Sequence, residues 1–597
     1  MSDELEVTLD SVANALDSVQ FVHVRRRIFR QLIESLIYEN IIEPEINKSE
    51  GRKEVFHIKG YDEAGNILWY VCSGQRKLSF DRIRLSKHRP VIRVTGEQKK
   101  EADSLAIFLL EIAPCMKEKP KRLQLFMEEI NQTLLKDTIA QYRRHKIKHA
   151  KQEKEDESER GYDELEGDVM EGHPYHPCYK SRVGFDLIDN EAFGPDLKPN
   201  FKLIWIALNK DYAKVSTSDE DEYTAFIQKE LESVTYARFE KKLKKQGGNP
   251  ADYVFLPIHP WQWREKVLML FFEQMRAGQI ILLGEGEDNY RPQQSIRTLA
   301  NQTFPQKAYV KLSLSITNTS SSRVLLPRHV RNGPIVSGWL DEFLKKDDYL
   351  REELGLVFLI ERIGISYDYD TLPEIIREKS YGALGVIWRD DVYRYLRPNE
   401  KAIPFTSLCH IEANNRPFID SWVKEYGLEN WLKQVLQVSL PPLLHLLYAH
   451  GAAIEAHAQN MIVIHRQGIP VRLAVRDFSG GVLFYKEKDP DPDLPETDQP
   501  TEVRNVFHNA FFFINLAELS MFLEEQYDLD EYLFWLLVVE VIRSYHQQFP
   551  HLKNQFKRFD LFQPTVEIGQ LTRRKIVDPI DKGDHKVANV LNLYDSI

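Results

Sequence analysis

Between Glu455 and Gly481 the chain reads EAHAQNMIVIHRQGIPVRLAVRDFSGG, two polar clusters around a run suited to sheet. Glu455, His457, Gln459 and Asn460 precede the run, and Asp477 follows it, trailed by Ser479, Gly480 and Gly481. MIVIH and VRLAVR have the apolar, β-branched composition of strands, and RQGIP between them has that of a turn. If the strands pair, Glu455 and Asn460 come back to the same end as Asp477. Carboxylate and amide oxygens are the ligands a hard cation such as Mg²⁺ accepts, so the three can converge on one ion. A polar hairpin base without a ligand is the alternative.

Three further clusters could bind or react. GHPYHPCYKSRVGF (172–185) sets His173, His176, Lys180 and Arg182 close together, and a proline after each histidine keeps the stretch out of helix. Two imidazoles and two cations on a rigid loop suit a carboxylate or phosphate cradle, or else a turn that the histidines cap. QQSIRTLAN (293–301) offers Ser295, Arg297 and Thr298 as a phosphate clamp, since guanidinium grips phosphate in a bidentate fork. In YVKLSLSITNTSSSRVL (309–325) the alternation places Lys311, Ser313 and Ser315 on one side of a strand. The hydroxyl and amide tract through Thr319 to Arg323 offers donors to an anion, or is a solvated turn. PIHPWQW (257–263) reads as a buried aromatic corner with His259 hydrogen-bonded. No GxxxxGK[ST] is present, so a Walker-type nucleotide loop is excluded. Asn460 followed by Asp477-Phe478-Ser479-Gly480 is instead similar to the kinase catalytic-loop Asn and Asp-Phe-Gly, which hold Mg²⁺ on ATP.

The elements that must position these residues belong to a chain of 597 residues and 69.9 kDa, too long for one hydrophobic core. Ile28, Phe29, Leu32, Ile33, Leu36 and Ile37 recur at helical spacing. EVFHIKG and ILWYVCSG, either side of YDEAGN, predict a β-hairpin, and helices follow through AIFLLEIA and RLQLFMEEINQTLLKDTIAQYRR. From Lys151 to Glu171 charge dominates, as in a solvated linker or exposed helix. Strands and helices then mix before a mainly helical C-terminal third, giving an α+β fold with antiparallel sheets. A net charge of −11 argues against nucleic acid and is compatible with a polycation. No continuous apolar run reaches the roughly 18 residues of a membrane span. The acidic first residues lack the basic start of a signal peptide, and four widely spaced cysteines suit reduced thiols, so a cytoplasmic location is expected.

In this order and spacing, GHPYHPCYKSRVGF, HPWQW, SIRT, KLSLSITNTSSSR, EAHAQN and RDFSGG resemble the motifs of the NRPS-independent siderophore (NIS) synthetases, the aerobactin-synthetase-like ligases, over nearly the whole chain. RRRIFRQLIESLIYENII and KDTIAQY look closer still to the branch that joins citrate to spermidine in petrobactin assembly. The resemblance implies a cupped hand: a thumb over 1–165, fingers over 166–385 and a palm with a kinase-like antiparallel sheet over 386–597. It also implies that ATP and Mg²⁺ adenylate a citrate carboxylate, releasing pyrophosphate, and that a polyamine, spermidine foremost, captures it as an amide. Carried over, Arg297, Lys311, Arg323 and His457 are catalytic. Ser295, Thr298, Gln459 and Asp477 join those four on ATP, and Glu455, Asn460 and Asp477 hold Mg²⁺. His173, His176, Lys180, Thr319 and Arg323 grip citrate. A homodimer is expected. Rival readings are a kinase-like phosphotransferase using Asp477 and a citrate- or polyamine-binding protein without catalysis.

Overall fold

The computed structural model describes residues 9–48, 53–150, 160–168, 173, 175–218, 223–319, 321–577 and 585–595. The expected apolar spacing near the N-terminus is realised in the helix Val19–Tyr38, whose Ile28, Leu32, Ile33 and Leu36 are fully buried. The expected hairpin pairs Lys53–Tyr61 with Ile67–Arg76, residue by residue in antiparallel register. Alternation works there as it should: Phe56, Ile58, Leu68 and Tyr70 face a core shared with the helices Leu105–Ile112 and Leu123–Ala150.

An eight-stranded sheet occupies the middle of the chain, with neighbouring strands antiparallel throughout. Four consecutive strands of it, Thr298–Asn301, Tyr309–Leu312, Gly385–Arg389 and Glu361–Tyr367, are buried along almost their whole length. The strand expected to run from Tyr309 to Ile316 is broken at Ser313. Its first part stays in the large sheet, while Leu314–Asn318 leaves to pair with Ser321–Arg323. Ser313 caps the break through Gly382 O and the Leu325 N–H, and Ser315 is held by Gln262, so Lys311, Ser313 and Ser315 serve three different partners. The PIHPWQW corner is buried as expected: His259 Nδ1 accepts from Trp261 N at 3.1 Å, and Trp261 Nε1 donates to Asp189 at 2.9 Å.

The hairpin Met461–Arg466/Ile469–Val475 lies in a four-stranded sheet whose short edge strand, Val357–Phe358, runs parallel, so this sheet is not wholly antiparallel. Gln467 and Gly468 both take positive φ, as a two-residue primed turn requires, and a Cβ on Gly468 would run into Trp422. The helix Leu428–His450 covers this sheet and shares a large core with the helix Glu531–Gln548. The helical stretch Pro500–Tyr527 contains a window long and apolar enough to cross a membrane, and 72% of that window is buried inside the fold.

The charged stretch after 150 departs from expectation. Residues 151–159 and 169–171 lie outside those described. Tyr162–Asp168, however, is not a solvated linker: it is a short helix with Tyr162, Asp163, Leu165 and Glu166 buried.

Candidate active site

The large sheet and the hairpin sheet face each other across a cleft of about 2290 Å³. Register explains how Lys311 reaches it and which buried charges stand behind it. Thr298 pairs with Lys311, Lys311 with Ile387, and Arg389, two residues on, with Glu361. Directly paired residues share a face, so Thr298, Lys311, Arg389 and Glu361 all project from the same side of the sheet. From the opposite sheet the chain leaves Val475 and turns at Asp477, whose φ of +68 swings its carboxylate toward that row. Asp477 Oδ1 meets Arg389 Nη1 at 2.6 Å and Lys311 Nζ at 3.1 Å. Lys311 also reaches Glu361 at 3.3 Å and Ser479 Oγ at 3.0 Å. Burial works to raise the Asp477 pKa, but Lys311, Arg389 and Arg476 outweigh it and hold the carboxyl well below the carboxylate range.

Asn460 and Glu455 stand where strand pairing sends them. Asn460 O accepts from Arg476 N at 3.0 Å, and Glu455 N donates to Gly481 O. Asn460 Nδ2 is spent on Glu455 O at 3.0 Å, while the Glu455 side chain is exposed to the cleft. His457 and Gln459 are half-buried on the same wall. The donor set left toward the cleft is oxygen-rich and anionic at Asp477 and Glu455, which fits a hard divalent cation.

The SIRT loop lies on the other wall. Ile296, a β-branched residue, takes φ +66, a strained conformation that its complete burial holds in place. The turn sends Ser295 Oγ back to Thr298 N at 3.2 Å and aims Arg297 at the carbonyls of Arg323 and Val324. Arg323 donates to Asn318 O at 3.0 Å while its buried Nε has no protein partner. Burial first, and the neighbouring Arg297 second, push Arg323 down to about 10. Two half-buried guanidiniums at close range are an arrangement that a polyanion relieves.

The histidine loop closes a third side. His173 Nδ1 accepts from the N–H groups of Tyr175 and His176, and burial, then His457, Arg82 and Arg323, lower its pKa to about 3. His176 is fully buried, near Thr572, with Nε2 unpartnered. Thr319, at φ +58 on the hairpin tip, holds Tyr179 O at 3.4 Å. Lys180 lines the cleft, but its ammonium is already paired with Asp137 at 2.7 Å, which weakens its claim on a carboxylate ligand. The KDTIAQY stretch supplies this support: Asp137 also binds Tyr179, and Lys136 donates to the carbonyls of Ser181 and Arg182.

Sequence reasoning missed Glu361, Arg389, Arg476 and Glu166. Arg476 pairs with Glu166 at 2.7 Å, and Glu166 Oε2 accepts from Gln294 N at 3.0 Å, so the short helix 162–168 ties the SIRT loop to the residue before Asp477. The available signal was a charge inside an apolar strand, Glu361 in LVFLIERI and Arg389 in GVIWR, since a buried charge demands a partner.

The model of the IucA / IucC family matches residues 161–410, and one described as ferric iron reductase FhuF-like transporter matches 429–584, a stretch without cysteine. A Bacillus anthracis protein, citryl-spermidine/3,4-dihydroxybenzoyl-citryl-spermidine:spermidine ligase, is 38% identical over 97% of this chain and 95% of its own. A Staphylococcus aureus protein, 2-[(L-alanin-3-ylcarbamoyl)methyl]-3-(2-aminoethylcarbamoyl)-2-hydroxypropanoate synthase, is also 38% identical, over 96% and 93%. The crystal structure of petrobactin biosynthesis protein AsbB from Bacillus anthracis superposes with a TM-score of 0.90 at 37% identity, covering 98% of this chain and 97% of that one.

Proposed function

The chain belongs to the IucA / IucC family, and from that premise we propose that it is an ATP-dependent siderophore synthetase joining a carboxylate of a citrate unit to a polyamine, foremost spermidine. The observation that carries the reading is full-length similarity to a ligase named for citryl and spermidine groups, together with a cationic cleft around Asp477. The finer architecture proposed is the cupped hand, the hairpin sheet acting as a kinase-like palm.

A free carboxylate is a poor acyl donor. Adenylation gives it a leaving group: one carboxylate oxygen bonds to the α-phosphorus of ATP, pyrophosphate departs, and amine attack on the acyl carbon then expels AMP. Lys311, Arg297 and Arg323 would meet the charge developing on the phosphates, with Ser295 and Thr298 donating beside them and His457 and Gln459 on the opposite wall. Asp477, Glu455 and Asn460 would hold Mg²⁺, which when bound polarises phosphate oxygens. Asp477 also keeps Lys311 and Arg389 in place. His173, Thr319 and Arg323 would receive the citrate carboxylates and hydroxyl, with Lys180 and the fully buried His176, which does not line the cleft, shaping their loop. The amine must attack uncharged although alkylammonium has a pKa of about 10. Glu455 and His457 offer acceptors for its proton beside Asp477.

The test is pyrophosphate release with ATP and Mg²⁺ across citrate, a citrate already bearing one amide arm, and succinate, each against a panel of amines. A citrate unit with spermidine should rank first. Succinate should be poor, because a site built for three carboxylates and a hydroxyl is left with unpaired groups on a smaller acid. Equal rates with citrate and succinate overturn the acid assignment, and preference for a neutral amine overturns the polyamine assignment. The Lys311–Glu361 pair beside Asp477-Phe478 is also what a kinase uses, so phosphotransfer is the second reading; it yields ADP in place of AMP and pyrophosphate.

A further inference from the structure

Beyond the C-terminal end of the helix Pro327–Lys346, Asp347 meets two imidazoles from the last turns of the helix Leu428–His450. Its Oδ2 lies 2.9 Å from His445 Nε2 and 2.8 Å from His450 Nε2, and the three ligand atoms all fall within 4.8 Å of one another. Each is oriented by a second contact. His445 Nδ1 pairs with the buried hydroxyl of Tyr545 at 2.8 Å, Asp347 Oδ1 accepts from Leu350 N at 3.0 Å, and Phe343 stacks on His450 at 4.7 Å. Outer partners that fix a histidine's tautomer and ring plane are what ligating imidazoles require. The His450 side chain remains 19% exposed, leaving a route for an ion and a water.

We propose that Asp347, His445 and His450 form a site for a divalent first-row transition metal ion, separate from the Asp477 cleft. Two imidazole nitrogens and one carboxylate oxygen suit zinc or ferrous iron, with water completing the shell. Without metal, each Nε2–H donates to Asp347 Oδ2. On binding, the proton on His445 Nε2 moves to Nδ1, where it is donated to the Tyr545 oxygen. Tetrahedral zinc with bonds of about 2.0–2.1 Å spaces its ligands about 3.3 Å apart, so the two contacts to Asp347 must open by roughly 0.5 Å and the two Nε2 atoms, within 4.8 Å of each other, must settle to the same spacing.

The placement suggests what the ion does. His450 leads through Gly451 and the strand Ala452–Ile454 directly to Glu455, and the helix that Asp347 follows begins beside His329, whose ring faces Gly480. The ion would therefore brace, from behind, two elements that present residues to the cleft.

The experiment titrates full-length protein, stripped with a chelator, with Zn²⁺ alone against a chromogenic competitor in the absence of ATP and Mg²⁺. One equivalent should bind and raise the melting temperature by mass action. His450→Ala and Asp347→Asn should weaken it at least about 10-fold, and Tyr545→Phe by about 10–100-fold. Asp477→Ala should leave zinc affinity unchanged. Co²⁺ on the wild-type protein should give the intense visible bands of a tetrahedral site, a readout that needs no variant to fold. Absence of stoichiometric zinc, of those bands, or of any change in His450→Ala overturns the proposal; so does loss of zinc in Asp477→Ala, which would place the ion in the catalytic cleft.

Discussion

Substituting Asp477 separates what its charge does from what its backbone does. Oδ1 meets Arg389 at 2.6 Å and Lys311 at 3.1 Å, and the residue sits at φ +68, where Asn and Gly are tolerated and Ala is strained. Asp477→Asn, Asp477→Gly and Asp477→Ala all strip Arg389 Nη1 of its anion, whereas Lys311 keeps Glu361 and Ser479. Breaking a buried ion pair costs about 3–5 kcal/mol; with Asp477 21% exposed and Lys311 still paired, about 2–3 kcal/mol is expected for Asn. Ala adds about 1 kcal/mol of backbone strain that Gly and Asn avoid. Denaturant unfolding should therefore place Ala below both of them. Citrate-dependent pyrophosphate release should fall at least about 10²-fold in all three alike, because the lost element is electrostatic. An Asn variant keeping more than about a tenth of wild-type turnover refutes the assignment. Equal stability of Ala and Gly refutes the backbone argument. The pH dependence has a definite sign. Because the carboxyl is held below its ordinary range, its contribution is full above about pH 3.9 and is lost as pH falls below that, so wild type and Asp477→Asn converge in stability in strong acid.

Arg297→Ala should mainly raise the KM for ATP, while Arg323→Ala, nearer the Thr319 hairpin, should raise it for both ATP and citrate; matching changes refute that division. Glu166→Gln should destabilise by about 3 kcal/mol and weaken ATP by loosening the SIRT loop, whereas Glu164→Gln, on the exposed side of the same helix, should be silent in both unfolding and KM. His173, lowered to about 3 by burial and neighbouring cations, should show no NMR titration between pH 5 and 8. Since the unfolded chain takes up that proton near pH 6.5, His173 favours the folded state less as pH falls from there toward 3, and a measured pKa above 5 refutes this desolvated, cation-flanked placement.

Much of the site was legible from local pattern. The hairpin at 461–475, the positions of Glu455, Asn460 and Asp477 at its base, and the placing of the SIRT stretch in a turn follow from alternation, turn chemistry and motif spacing, which act over a few residues. The charged run after 150 misled for a physical reason. Composition marks Asp163 and Glu166 as surface residues, but Glu166 finds Arg476 and Asp163 finds Gln293 and Tyr393, partners more than a hundred residues away, and with those partners they can be buried. Lys180, on the histidine loop, likewise reads as a free cation until Asp137 arrives from the helix Leu123–Ala150. The sequence by itself determined which residue types could meet phosphate, metal and carboxylate, and which strands would carry them. Only the tertiary structure decided that Lys311, Arg389 and Glu361 share one sheet face with Asp477 arriving from another sheet, because register between distant strands, set by the packing of whole sheets, has no local signature.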